Sequence, residues 1–373
     1  MKKKKRSFWE RYAYKQLSKN VRSQEDDDLY VLSPTEKAAL RKIRISTYLK
    51  AGLAGALGIV LLYVPYHIFE ETLFPKRDIW IPIYENYMSL EIEFLIYSIV
   101  LVFIEIWYLT FLNIQAVDKI TKACGCLNPS DTDFETDVDA LISVGLEKKH
   151  KELEKVGINP YEGLSKWGVV AFQVLIKLKA TISGFVWKIF ISKILGRYAF
   201  RMVVDVLGAP IYAAWNIYAS RKVMNEARVR VMAPPLINKF SLQLEEEFGG
   251  NEEFRSVLYP TLQAISISKR SFHYNHFLLA TSLLTRFDIE VQTDPEYDKD
   301  FLKKVDELAP EIQKAVSKLI VFGILIDGGL SQIEKRSLIR LKKEGVLPYT
   351  LDEVKVWSED YFEGRGIDEL LKG

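Results

Sequence analysis

Four hydrophobic patterns follow one another along the chain, and each predicts a different setting for its helices. From Ala51 to Phe69 the residues read AGLAGALGIVLLYVPYHIF, with no formal charge. At about 1.5 Å per helical residue this stretch nearly spans a hydrocarbon core of about 30 Å. From Phe94 to Ile114 they read FLIYSIVLVFIEIWYLTFLNI, interrupted only by Glu105. Both stretches predict transmembrane helices, and the first lies too far into the chain to read as a cleaved signal sequence. The third pattern covers Trp167 to Ser192 and Tyr198 to Ser220, apolar stretches that each carry a polar stripe. Gln173, Lys177, Thr181, Gly184, Lys188 and Ser192 recur at steps of three or four, as do Arg201, Asp205, Gly208, Tyr212 and Asn216. Beyond Arg230 the pattern is that of shorter amphipathic helices without sustained strand alternation.

The fold class this predicts is all-α. A basic N-terminal tail and helix occupies 1–50, a transmembrane hairpin 51–115 and a cytoplasmic helical linker 116–165. A membrane-embedded or interfacial amphipathic hairpin follows over 166–230, then a cytoplasmic helical domain over 235–373. Two spans are expected, or four if the amphipathic pair also crosses. Ser33, Pro34 and Glu36 form a capping-box start for the first long helix, and Pro234 with Pro235 marks the last boundary. Asp294 with Pro295, and Thr350 with Glu353, are further helix starts.

Charge orients this arrangement. The 51 Lys and Arg against 49 Asp and Glu leave a formal charge of +2, which supplies no global field for nucleic acid. Lys37, Arg41, Lys42, Arg44 and Lys50 precede the first span, whereas the loop between spans has only Lys76 and Arg77. The positive-inside rule therefore puts both termini in the cytoplasm, and the expected location is the cytoplasmic membrane of a bacterium. Trp80, Tyr84 and Tyr87 suit the headgroup level on the far side, while Lys2 to Arg6 beside Phe8, Trp9 and Tyr12 suit an anionic lipid surface. Lys188, Lys193, Arg197 and Arg201 cluster at the turn of the amphipathic pair. Crossing would carry them outside, so the interfacial arrangement is preferred.

Several residues stand out as candidates for chemistry or packing. Ala51, Gly55 and Gly58 share one helix face on which another helix can approach closely, either the second span or a second copy of the chain. Glu105 is an intramembrane carboxylate, which either bonds to a neighbouring helix or serves a function. Lys177, Lys188 and Arg201 against Asp205 would form a small cationic groove for a lipid phosphate or another anion if the stripes face inward. Membrane lipids are accordingly expected partners, together with a protein at the cytoplasmic face, and nucleic acid is not. Cys124 and Cys126 and the acids from Asp131 to Asp139 define no site, because two thiols do not complete a zinc centre. The chain has no phosphate-binding glycine loop, dinucleotide fingerprint, nucleophile elbow or two-histidine zinc helix, so catalysis is not the expected role and no cofactor is assigned from the residues.

The C-terminal region repeats itself. AISISKRSFHYNHFLLATSLL, from Ala264 to Leu284, can be laid beside FGILIDGGLSQIEKRSLIRL, from Phe322 to Leu341, each a turn between two apolar helices. The second copy, in its stretch from Asp327 to Glu334, resembles the tellurite-resistance TerB-like domain. That resemblance implies a helical pseudo-repeat, turn acids that can bind a divalent cation, here Asp327 and Glu334, and an adaptor role in membrane-linked assemblies. The first copy departs from the pattern, with Lys269, Arg270 and Ser271 where acids would stand. Ser331 and Glu334 also form a capping box, and His273 and His276, three apart, are a packed pair or a weak chelate. The expectation is a membrane-anchored scaffold or sensor. The alternative is a transporter-like or lipid-handling protein that uses residues 173–216 with Glu105.

Overall fold

The computed structural model describes residues 6–18, 31–81, 86–125, 134–146, 156–159, 208–269, 273–291 and 300–372. Among them the chain is predominantly helical. The first half contains α1 (Phe8–Leu17), α2 (Pro34–Ile68), α3 (Glu70–Leu73), α4 (Ile92–Cys124) and α5 (Phe134–Gly145), with strands β1 (Arg77–Ile81) and β2 (Asn86–Leu90) between α3 and α4. The second half contains α6 (Ala209–Phe248), α7 (Glu252–Lys269), α8 (Tyr274–Arg286), α9 (Phe301–Lys304) and α10 (Pro310–Leu325). It ends with α11 (Gln332–Lys343), α12 (Leu351–Glu363) and α13 (Asp368–Lys372). Two compact units result, each discontinuous in sequence. One comprises Arg41–Ala116 and Val170–Met224, the other Met1–Leu40, Val117–Val169 and Asn225–Gly373.

In the first unit, α2 and α4 are long and apolar enough to cross a membrane. The small-residue face of α2 is covered by other helices of the same chain. A Cβ on Gly52 would meet Ile217 Cδ1 at 2.9 Å, and one on Gly55 would lie 2.6 Å from the Tyr212 carbonyl oxygen, so α6 packs directly on the α2 backbone. One turn on, a Cβ on Gly58 would lie 3.4 Å from Glu105 Oε2 of α4. Ala51 is fully buried. At the other end of these helices, Tyr66, Phe74 and Phe94 pack ring on ring, with centroids 4.4 Å apart for Tyr66 and Phe94 and 5.5 Å for Phe74 and Phe94. Tyr97 donates its hydroxyl hydrogen to the Leu61 carbonyl at 2.7 Å. The connection between α3 and α4 is an antiparallel hairpin with Trp80 opposite Tyr87, an element the sequence pattern does not announce. Its five-residue strands pair only with each other, too short an alternation to register.

The second unit is built on α7 and α10, which cross where a Cβ on Gly323 would come within 2.7 Å of Ile265 Cδ1. These two residues stand at matching positions of the two stretches compared above. Phe254, Leu258, Ile312, Val316, Leu319 and Phe322 are each fully buried, with Phe322 stacked on Phe240 and Phe254 on Phe248 of α6. The predicted capping boxes are present: Ser33 with Glu36, Ser331 with Glu334 and Thr350 with Glu353 each exchange backbone and side-chain hydrogen bonds. Asp294 and Pro295 lie outside the described residues. At the N-terminus, α1 packs on α5, and Arg6 pairs with Asp139 at 3.1 Å.

The break expected at Pro234 and Pro235 does not occur, because α6 runs straight through both prolines. A proline inside a helix costs about 3 kcal/mol through its missing N–H and its clash with the preceding turn. Val231, Met232, Ala233, Leu236 and Ile237 surround this point at 4% exposure or less. The larger of these side chains contribute about 1.5 to 3 kcal/mol each on burial, enough together to outweigh the two prolines.

Packing of α6 on α2 predicts a specific cross-link. An ideal Cβ on Gly52 lies 3.9 Å from Ala213 Cβ, within the range of about 3.5–4.5 Å that a disulfide requires. In a chain with Cys124 and Cys126 replaced by Ala, the pair Gly52→Cys and Ala213→Cys is expected to oxidise with copper phenanthroline. Adding Gly55→Leu, which drives a side chain into the Tyr212 backbone, is expected to reduce the yield. Mobility on a non-reducing gel after cleavage between the two positions reads both outcomes.

Candidate functional site

The last residue of α7 is a lysine, and the turn after α10 begins with an aspartate. In the internal repeat Lys269 and Asp327 are equivalents, and the fold brings them together. Lys269 Nζ lies 2.5 Å from Asp327 Oδ1 and 2.6 Å from Glu334 Oε1. The lysine side chain has 0% exposure, and those of Asp327 and Glu334 have 15% and 5%. Local structure explains each placement. Lys269 ends a helix, where the macrodipole favours a cation. Glu334 is the third residue of α11, and its second oxygen accepts the Ser331 N–H at 2.5 Å as one half of the capping box. Asp327 leads into Gly328, whose φ of +87° turns the chain.

Around this ion triplet is a shell of buried polar groups. His276 presents Nε2 to the Gly323 carbonyl at 2.8 Å; a carbonyl only accepts, so the hydrogen is on Nε2. Nδ1 of the same ring is buried with no hydrogen-bond partner, so a proton added there would find no acceptor. Burial pushes His276 down to about 3, with Lys269 and His273 adding to the effect against Asp327. Asn275 donates from Nδ2 to the Ile326 carbonyl at 2.6 Å, and the Tyr361 hydroxyl donates to the same oxygen at 3.3 Å. His273 Nε2 lies 3.0 Å from Glu226 Oε1, and Arg230 Nε reaches the same carboxylate at 2.7 Å. Burial alone would raise the Glu226 carboxyl, but the facing His273 and Arg230 outweigh it and hold it down to about 2.

Chemically the arrangement is a salt link that satisfies itself. The two acids proposed to take a divalent cation share the ammonium of Lys269, and Glu334 is also engaged in its cap. His273 and His276 do not converge: one faces Glu226, the other Gly323. Among the described residues no three His, Cys, Asp or Glu side chains are grouped to hold a metal. Cys124 is buried.

In the first unit, Glu105 is held by Asn216, whose Nδ2 donates to Oε1 at 2.6 Å. Three helices therefore meet at one polar point: Gly55 and Gly58 of α2, Glu105 of α4 and Asn216 of α6. Asn216 belongs to the polar stripe read from the sequence. Lys177, Lys188, Arg201 and Asp205 lie outside the described residues. The sequence reading did not single out Glu226, Arg230 or Asn275. Glu226 and Arg230 were findable as an i,i+4 pair, whereas Asn275 has no linear signal.

No protein-family model matches this chain, and no curated protein or solved structure matches it.

Two outcomes follow from the cluster. Lys269→Met leaves two buried carboxylates without their cation and is expected to destabilise the full chain by about 3–5 kcal/mol in urea. The triple variant with Asp327→Asn and Glu334→Gln is expected to regain most of it. The second outcome concerns acid. Because His276 is depressed from 6.5 to about 3, the unfolded chain takes up its proton first. Its contribution is full above pH 6.5 and drains as pH falls toward 3. Glu226, depressed from 4.5 to about 2, contributes above pH 4.5 and loses that contribution as pH falls toward 2. Thermal midpoints are therefore expected to decline on acidification from pH 6.5, and His276→Gln to flatten the limb between 6.5 and 4.5.

Proposed function

We propose that this chain is a membrane-anchored, non-enzymatic scaffold or sensor that presents a TerB-like helical domain at the cytoplasmic face. The observation that carries this reading is the exposure of the long helices. Only 6% of the apolar window of α4 is buried, and 28% of that of α2. A core helix of a water-soluble protein would be mostly covered. Leu95, Ile99, Val102, Phe103 and Ile106 of α4 instead form an apolar surface suited to lipid. The helical repeat, with matching positions of its copies in contact, supports the TerB-like assignment. The closed Lys269 link supports a role in presentation over one in metal chemistry.

The alternative, transport or lipid handling through the polar stripes, draws on the contact of Asn216 with Glu105. That contact engages both groups within one bundle, which equally suits a structural lock between helices. The two readings separate on Glu105→Gln. An amide there keeps a hydrogen bond to Asn216, so an anchor retains its assembly, while a titrating carboxylate would lose its activity.

Labelling of single cysteines in intact cells tests the anchor. Arg77→Cys, Arg197→Cys and Lys372→Cys are placed one at a time in a chain lacking Cys124 and Cys126. An impermeant maleimide is expected to label position 77 from outside and to reach 197 and 372 only after permeabilisation. Labelling of 372 in intact cells, or release of the chain by alkaline carbonate, would overturn the anchored cytoplasmic reading. Labelling of 197 from outside would favour four spans and the transport alternative.

A further inference from the structure

Helix α11, capped by Ser331, carries Ile333, Arg336, Ser337 and Arg340 at i, i+3, i+4 and i+7, so all four occupy one face. Its capped first turn and buried Leu338 and Leu341 hold it against the domain, while this other face is turned outward. Beside it lies a groove of about 310 Å³ formed with α7 and α10, with Ile267 and Ile320 among its apolar walls. A volume near 300 Å³ is at the small end of sites that take a ligand or a side-chain anchor. Ile333 at the rim is 46% exposed, a cost in water that a partner would remove.

The charges around this groove are unbalanced. Arg336 has no ion-pair partner among the described residues, and Arg340 reaches Glu344 only at 4.0 Å, with both side chains largely in solvent. The nearby carboxylates of Asp327 and Glu334 are engaged by Lys269 inside the domain. Two guanidinium groups one helical turn apart, above an apolar floor and beside the Ser337 hydroxyl, complement an acidic amphipathic helix. Carboxylates spaced by one turn would meet Arg336 and Arg340, and an apolar side chain between them would enter the groove.

We propose that this groove is a docking site for an acidic amphipathic helix of a partner protein. The proposal deepens the reading of this domain as an adaptor and rests on it. A helix is favoured over a lipid headgroup because the hollow beneath the two cations is lined by Ala264, Ile267, Leu302 and Ile320, which suits an apolar side chain and not a phosphate.

The test uses the full chain in phosphatidylcholine nanodiscs, with empty nanodiscs as the blank. The probes are a fluorescein-labelled helical peptide with leucines on one face flanked by glutamates one turn apart, and the same peptide with lysine for glutamate. The acidic peptide is expected to bind and the lysine peptide not to. Arg336→Glu with Arg340→Glu is expected to weaken the acidic peptide about tenfold and to admit the lysine peptide. Ser337→Trp, which fills the groove without changing charge, is expected to block both. Unchanged thermal midpoints establish folding, and Arg336→Gln with Arg340→Gln serves if the reversed pair does not fold. Failure of the acidic peptide to bind, or binding indifferent to these variants, overturns the proposal. Displacement of the peptide by dihexanoyl phosphatidylglycerol at lower concentration than by unlabelled peptide overturns it in favour of lipid. Peptide binding by a chain that carbonate strips from membranes would instead sink the anchored reading and leave the groove standing.

Discussion

The salt link from Lys269 to Asp327 and Glu334 is the constraint on which the second unit depends. An ammonium with no exposure is tolerated only where its charge is met, and here two carboxylates meet it and accept from it. The link ties the end of α7 to the turn after α10 and the start of α11. With a cation at the end of α7 and an acid in the turn after α10, the contact between these two segments is attractive.

Much of the layout was legible in the sequence because it rests on local rules. The apolar lengths of α2 and α4, the capping boxes at Ser33, Ser331 and Thr350, and the glycine face of α2 all depend on residues within a few turns of one another. What was not legible depends on packing at long range. Pro234 and Pro235 signal a stop by every local criterion, and only the burial of their neighbours carries α6 through them. The resemblance offered Asp327 and Glu334 as cation ligands and their spacing offered a cap, but no rule of spacing states that a lysine some sixty positions earlier reaches them. The β1–β2 hairpin was missed for a third reason: its strands are too short to leave a period.

Both units handle polarity in the same way. Glu105 in α4 and Lys269 in α7 are each the charged or ionisable residue least suited to its surroundings, and each is met by a side chain from a distant helix. In the first unit the partner is an amide, in the second a pair of acids. The difference follows from the setting. An amide can satisfy a carboxyl without adding a second charge among apolar helices, whereas the buried ammonium needs its charge matched. The half-buried Glu226 is met in the same way by Arg230 and His273.

The bond from Asn216 to Glu105 joins residues 111 positions apart, and this separation also carries a time. A ribosome adds roughly 5–20 residues per second, so Glu105 emerges on the order of ten seconds before the amide that will hold it. During that interval α4 has only the earlier helix for company. Gly58 of that helix lies against the carboxyl, an ideal Cβ there standing 3.4 Å from Glu105 Oε2. The glycine face of α2 thus lies beside both partners of a bond that cannot form until the later helix has been made.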